Sequence, residues 1–137
     1  MSMDRHAQVM EAARELVAAF ARNDTEAYFT AFSEDASFLF HTTPGVLQGR
    51  AAYRELWDTW QREGFRVLGC ESRNPLLSLQ GEVAIFMHEV VTRLRVGGEA
   101  ITSLERETIV FRQQQEQGRW LACHEHLSAM PEHLPQT

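Results

Sequence analysis

The sequence predicts an α+β fold: a curved antiparallel sheet with about three N-terminal helices covering its concave face. Apolar residues recur at helical spacing in the first half of the chain, as far as Gly64. Two long β-like segments then flank the pair Gly97-Gly98, which reads as a two-residue hairpin turn. The chain has 137 residues, 44% hydrophobic and 23% charged, which suits a single domain spanning 1–137 with its own core.

Val9, Ala12, Ala13, Leu16, Val17 and Phe20 share one helical face and predict a first helix over about 3–22. Asn23-Asp24 breaks it, and Asp24 can cap a short second helix carrying Ala27, Tyr28, Ala31 and Phe32. Ser33-Glu34-Asp35 reads as a turn and residues 37–41 as a short strand. After the Thr43-Pro44-Gly45 turn and a brief strand at Val46-Leu47, Tyr53, Leu56, Trp57 and Trp60 form one face of a third helix. Gly64 stops that helix. Residues 65–72 and 76–79 are β-like, and Pro75 between them marks an edge or a bulge. Long strands over 83–96 and 99–113, a polar loop at 114–118 and a last strand over 119–127 follow, with a loose polar tail from Pro131. Strands longer than about 10 residues twist and bend, so the sheet acquires a concave face. Helices laid on that face leave a hollow between the layers.

Charge and cysteine usage exclude several classes of function. The formal charge is −6, and all 13 basic residues are arginine. A net acidic surface suits neither a nucleic-acid platform nor an anionic membrane. Cys70 and Cys123 are too few for a disulfide framework or a zinc knuckle and read as reduced thiols. The N-terminus has no apolar signal segment, and no stretch approaches the ~20 apolar residues of a membrane span, so the expectation is a cytoplasmic protein. No Gly-rich phosphate loop or nucleophile elbow appears, and no cofactor is expected.

Several local patterns carry a resemblance. They are Asn23-Asp24 with Tyr28 and Phe32, and Gly49 before the helix of Trp57 and Trp60. The ending is the most specific: Glu107-Thr108-Ile109-Val110-Phe111, then Gly118-Arg119-Trp120, then His124-Glu125-His126-Leu127-Ser128 and Pro131. In these residues the chain resembles the SnoaL-like branch of the nuclear transport factor 2-like superfamily, which includes the association domain of calcium/calmodulin-dependent kinase II. The resemblance implies a cone-shaped domain with an internal apolar pocket for a small apolar molecule. It implies either a cofactor-free isomerase, dehydratase, cyclase or hydrolase using a pocket acid or base, or a non-catalytic ligand-binding or assembly module. The cavity arginines of the kinase association domains correspond here to Glu89, Ile109 and Leu127. That correspondence turns those three inward and His124 and His126 to the outer face.

Glu89 and His41 are the candidate catalytic residues. Glu89 lies mid-strand between Met87 and Val91, and a carboxylate among interior residues is costly unless paired or protonated. Its pKa would rise toward a useful acid or base, unless Arg93 or Arg106 simply pairs with it. His41 closes the first strand beside the expected cavity mouth. Tyr53, Trp57 and Trp60, with Met87, Ile109 and Leu127, are expected to wall the pocket. His124 and His126, two apart on a strand, share one face. A metal there would need a third ligand, His41 or His88, and none is expected. Phe86, Val90 and Leu94 are assigned to the outer face, whose apolar surface predicts an isologous homodimer.

Overall fold

The computed structural model describes residues 4–114 and 118–131, so most of the expected 114–118 loop and most of the tail lie outside the described residues. The chain runs α1 (Arg5–Ala21), α2 (Thr25–Thr30), β1 (Phe32–Phe40), β2 (Leu47–Gln48), α3 (Arg50–Arg62), β3 (Arg66–Gln80), β4 (Val83–Val96), β5 (Glu99–Gln113) and β6 (Trp120–Ala129). The strands form one curved, unclosed sheet in the order β2-β1-β6-β5-β4-β3. The helices cover its concave face.

Local chemistry sets the element ends. Asp4 and Asp24 cap α1 and α2 by accepting from the backbone N–H of Ala7 and Ala27 at 2.8 and 3.2 Å. Asn23 occupies the left-handed region at φ 57°, a conformation its short amide side chain tolerates. That side chain exchanges two hydrogen bonds with Gln61 and accepts from the Val67 N–H at 2.9 Å. One turn residue thus ties the α1–α2 corner to α3 and to the start of β3.

Three local expectations change. Ser33-Glu34-Asp35 belongs to β1, whose register with β6 shifts between Phe32 and Ser37. The β1–β6 pair is parallel; every other pairing is antiparallel. Residues 66–80 form one strand through Pro75; the proline is accommodated because β3 is the edge strand and its register shifts between Arg73 and Leu76.

The register of β4 on β5 decides which side chains enter the interior. Pairing runs without a break from Val96↔Glu99 to Val83↔Arg112. Residues directly opposite share a face. Ile109 and Phe111 are buried and lie opposite Phe86 and Ala84, which are buried with them. His88, Val90 and Thr92 continue that inner row and are also buried. The assignment of Phe86, Val90 and Leu94 to the outer face is therefore corrected: they point toward the helices, and the outer row is Ile85, Met87, Glu89, Val91 and Arg93.

The core lies under α1, α2 and α3. Trp57 is fully buried and sits within 5.2–6.3 Å, centroid to centroid, of the rings of Phe20, Tyr28, Phe29, Tyr53 and Phe65. Its indole N–H donates to Thr25 Oγ1 at 2.9 Å, so the polar end of the ring is satisfied.

Candidate functional site

Between this aromatic layer and the sheet lies a cavity of about 420 Å³. Its roof is apolar: Leu16, Val17 and Phe20 from α1, and Tyr53, Trp57 and Trp60 from α3. Its mouth lies by the β4–β5 hairpin, where Val96, Gly97 and Ile101 face His41, Thr42 and Glu63.

The floor is different. Three carboxyl groups, Glu105, Glu107 and Glu125, converge on it from the neighbouring strands β5 and β6. Glu105 and Glu107 stand two apart on β5, so their Cα atoms are roughly 7 Å apart. Glu107 and Leu127 are opposite each other, as are Ile109 and Glu125. Each strand alternates, so one parity of β5 and β6 delivers Glu105, Glu107, Ile109, Glu125 and Leu127 to one face.

Two of these carboxyls are each joined to an imidazole. His41 Nε2 lies 2.6 Å from Glu105 Oε2, with the His41 side chain 35% exposed and Glu105 10%. His41 is held at the mouth by its backbone N–H, which donates to the Leu127 carbonyl. His88 Nε2 lies 2.7 Å from Glu107 Oε1, and the His88 side chain is wholly inaccessible. The other ring nitrogen of His88, Nδ1, lies 2.6 Å from Ser72 Oγ. The third carboxyl, Glu125, is 3% exposed. Its Oε1 accepts a long 3.5 Å hydrogen bond from Tyr28, whose hydroxyl is 3.0 Å from that of Tyr53. Its Oε2 is the one buried side-chain polar atom among the described residues without a hydrogen-bond partner.

Burial and mutual repulsion displace these groups from their ordinary ionisation. Burial pushes Glu107 up to about 8, with a further push from the charge of Glu105. Burial, and then the proximity of Glu107, holds Glu125 well above the usual carboxylate range. Burial alone pulls His88 down to about 4. Tyr28 and Tyr53 are raised first by burial and then by the charge of Glu125, so both remain phenols. At neutral pH the deep floor therefore holds protonated carboxyls beside a neutral imidazole, an arrangement able to donate protons rather than bind cations. Among the described residues, no group of three or more His, Cys, Asp or Glu is arranged to hold a metal ion.

The expected site residues divide. His41, Tyr53, Trp57, Trp60 and Leu127 line the cavity. Ile109 is inward and fully buried in the core, outside the lining. Glu89 and Met87 lie on the outer face, so the expected inward carboxylate is corrected by one residue: His88, its neighbour, points inward. Glu89 accepts from Asn74 Nδ2 at 3.2 Å rather than pairing with Arg93 or Arg106. His124 and His126 are both on the outer face, and His124 Nδ1 is hydrogen-bonded to Ser37 Oγ at 2.8 Å. Glu105, Glu107 and Glu125 were not expected. Strand alternation from Ile109 and Leu127, both assigned inward, is the sequence signal that identifies them.

The profile of the SnoaL-like domain family matches residues 9–132. Comparison with the curated proteins gave no match. Among solved structures, a ketosteroid isomerase-like protein from Erwinia carotovora atroseptica is similar, with a TM-score of 0.78 and 15% identity, over 94% of this chain and 99% of that one. An NTF2-like protein of unknown function in nutrient uptake from Rhodospirillum rubrum has a TM-score of 0.75 and 22% identity, over 93% and 100%. A candidate calcium/calmodulin-dependent protein kinase II association domain from Xanthomonas campestris has a TM-score of 0.77 and 18% identity, over 95% and 91%. At these identities the likeness establishes the fold and not an activity.

Proposed function

The chain belongs to the SnoaL-like domain family, and from that premise we propose that it is a cofactor-free acid–base enzyme acting on a small, largely apolar carbonyl compound. The observation that carries this reading is the convergence of Glu105, Glu107 and Glu125 on the floor of a cavity with an apolar roof, two of them each hydrogen-bonded to a histidine. Groups pushed toward different protonation states in one site are the usual mark of an acid and a base with separate tasks.

The roles follow from position. His41 hydrogen-bonded through Nε2–H to Glu105 leaves Nδ1 free to take a proton from the carbon next to the substrate carbonyl. The C–H electron pair moves into the new C=C bond, and the carbonyl oxygen gains negative charge. Glu125, kept protonated, donates from its unpartnered oxygen to that carbonyl oxygen. Glu107, also protonated at neutral pH, returns a proton to a distant carbon in an isomerisation. In a dehydration it protonates a departing β-hydroxyl, which leaves as water. Tyr53, Trp57 and Trp60 supply the apolar wall that holds the substrate body and excludes solvent.

Assembly belongs to the same proposal. The outer sheet face carries half-buried Ile85, Met87, Val91 and Val110, with Leu76 63% and Leu104 56% exposed. A second copy of the chain closing that face as an isologous dimer is the partner proposed. The similarity to a candidate kinase association domain supports assembly in this fold.

The test is a panel of β,γ-unsaturated and β-hydroxy ketones with apolar bodies, followed by the absorbance of the conjugated enone. Turnover by the wild type, reduced by about 10²–10⁴ in His41→Gln and in Glu107→Gln with binding retained, is expected. Binding without turnover overturns the catalytic reading in favour of a ligand-binding or assembly module; absence of any binding overturns both.

A further inference from the structure

Glu107 faces the cavity on one side and His88 on the other. His88 is inaccessible, closed off by the Phe86 ring, whose centroid is 4.6 Å from its own. Beyond His88 the hydrogen-bond chain continues to Ser72, and Ser72 is exposed because β3 is the uncovered edge of the sheet. Two short hydrogen bonds, 2.6 and 2.7 Å, thus connect solvent at the sheet edge to the cavity floor.

We propose that Ser72, His88 and Glu107 form a proton-exchange path, separate from the cavity mouth, by which Glu107 recovers or releases its proton while a ligand fills the cavity. The proposal rests on the reading of Glu107 as the proton donor of the cavity. The path works by a switch of the His88 tautomer. With Glu107 protonated, its O–H donates to Nε2, Nδ1–H donates to Ser72 Oγ, and the Ser72 hydroxyl donates to water. Release moves one proton at each link: Glu107 to Nε2, Nδ1 to Oγ, and the former hydroxyl proton to water. Afterwards Nε2–H donates to the Glu107 carboxylate and the Ser72 O–H donates to Nδ1. The imidazole is neutral at both ends, one proton has left, and every nitrogen and oxygen in the chain keeps a partner.

The surroundings favour that neutral relay over an imidazolium intermediate. Burial holds the charged form of His88 out of reach until about pH 4. The groups that face or influence Glu107 are Glu105 on β5, Glu125 on β6, His88 on β4, Tyr28 on α2, Tyr53 on α3 and Cys70 on β3. Of these, Glu105 contacts His41 at the cavity mouth, and His88 alone contacts an exposed group away from that mouth. The same residue types could be read as a nucleophile's triad, with Ser72 attacking. That reading fails here, because its acid must be ionised to support an imidazolium, whereas Glu107 retains its proton to about pH 8.

Two measurements on the intact chain test the path, and neither needs a substrate. Nitrogen-15 spectra of His88 across the Glu107 midpoint should show a ring that stays neutral while its proton moves from Nδ1 to Nε2. A single tautomer throughout, or a charged ring, overturns the proposal. Carbon-13 relaxation dispersion at the Glu107 carboxyl, near its midpoint in minimal buffer, reads the rate of proton exchange. In Ser72→Ala, an exposed edge-strand change, that rate should fall at least about tenfold, the effect of raising the barrier by 1.36 kcal/mol. An unchanged rate means that protons arrive through the mouth and overturns the path. Absence of turnover would count against the catalytic reading alone and leave both measurements decisive for the path.

Discussion

Replacing Glu107 with glutamine should remove most of the alkaline instability of this protein. Unfolded, the Glu107 carboxyl loses its proton near its ordinary 4.5; folded, it keeps it to about 8. Between those values the folded state binds more protons than the unfolded state, so stability falls as pH rises. Below pH 4.5 the contribution is complete; above pH 8 it has gone. At 1.36 kcal/mol per pH unit the span amounts to on the order of 5 kcal/mol, a large share of the roughly 5–15 kcal/mol that holds a domain together. Glutamine keeps the shape of the side chain, can still donate to His88 Nε2, and cannot ionise.

The assay is urea denaturation of both proteins at intervals from about pH 5 to 9, a range in which the unfolded glutamate is already ionised and the buried one gives up its proton. The two should be close in stability near pH 5 and diverge as pH rises, the variant leading by several kcal/mol at the alkaline end. The variant should retain a smaller slope through Glu125, which burial still holds above its ordinary range. The acid limb runs the other way. His88 accepts its proton near 6.5 when unfolded and only near 4 when folded, so stability falls as pH drops through that interval. Parallel pH curves for wild type and Glu107→Gln refute the reasoning, since they would mean that Glu107 ionises normally in the folded protein.

Trp57→Ala should cost about 3–5 kcal/mol, because it empties the centre of the aromatic layer and leaves Thr25 Oγ1 without its donor; a chemical melt within 1 kcal/mol of wild type would contradict that packing role. Sedimentation at micromolar concentration should give twice the 15.7 kDa chain mass, and Leu104→Glu should shift it to the monomer; a wild-type monomer ends the dimer proposal. Purified untagged protein should carry no stoichiometric metal: the rings of His124 and His126 are 6.5 Å apart between centroids, and His124 is occupied by Ser37. One equivalent of zinc or copper, lost on His124→Ala or His126→Ala, would reverse this and point to a metal-assisted reaction.

The fold was readable because each element announces itself locally: helical apolar spacing up to Gly64, then β-like runs around Gly97-Gly98. The site was only partly readable, and the reason is one of parity. Ile109 and Leu127 do face inward, and alternation from them places Glu105, Glu107 and Glu125 inward too. Crossing from β5 to β4 needs one further step. A two-residue turn at Gly97-Gly98 sets Val96 opposite Glu99, and counting back from there sets Ile109 opposite Phe86 and Glu107 opposite His88. An inward Ile109 therefore excludes an inward Glu89. The expectation for Glu89 came from its correspondence with a cavity arginine of the kinase association domains and from its apolar neighbours Met87 and Val91, which suit a half-buried outer face as well as a core. Other features left no comparable trace. The register shift of β6 between its partners Val110 and Phe111 falls in Ala122-Cys123-His124, where neither glycine nor proline marks it. The parallel β1–β6 pairing joins segments more than 80 residues apart and depends on how the whole sheet closes. The two histidine–carboxylate contacts are of the same kind. They span 64 and 19 residues, and they form because the sheet brings acids and imidazoles from separate segments side by side.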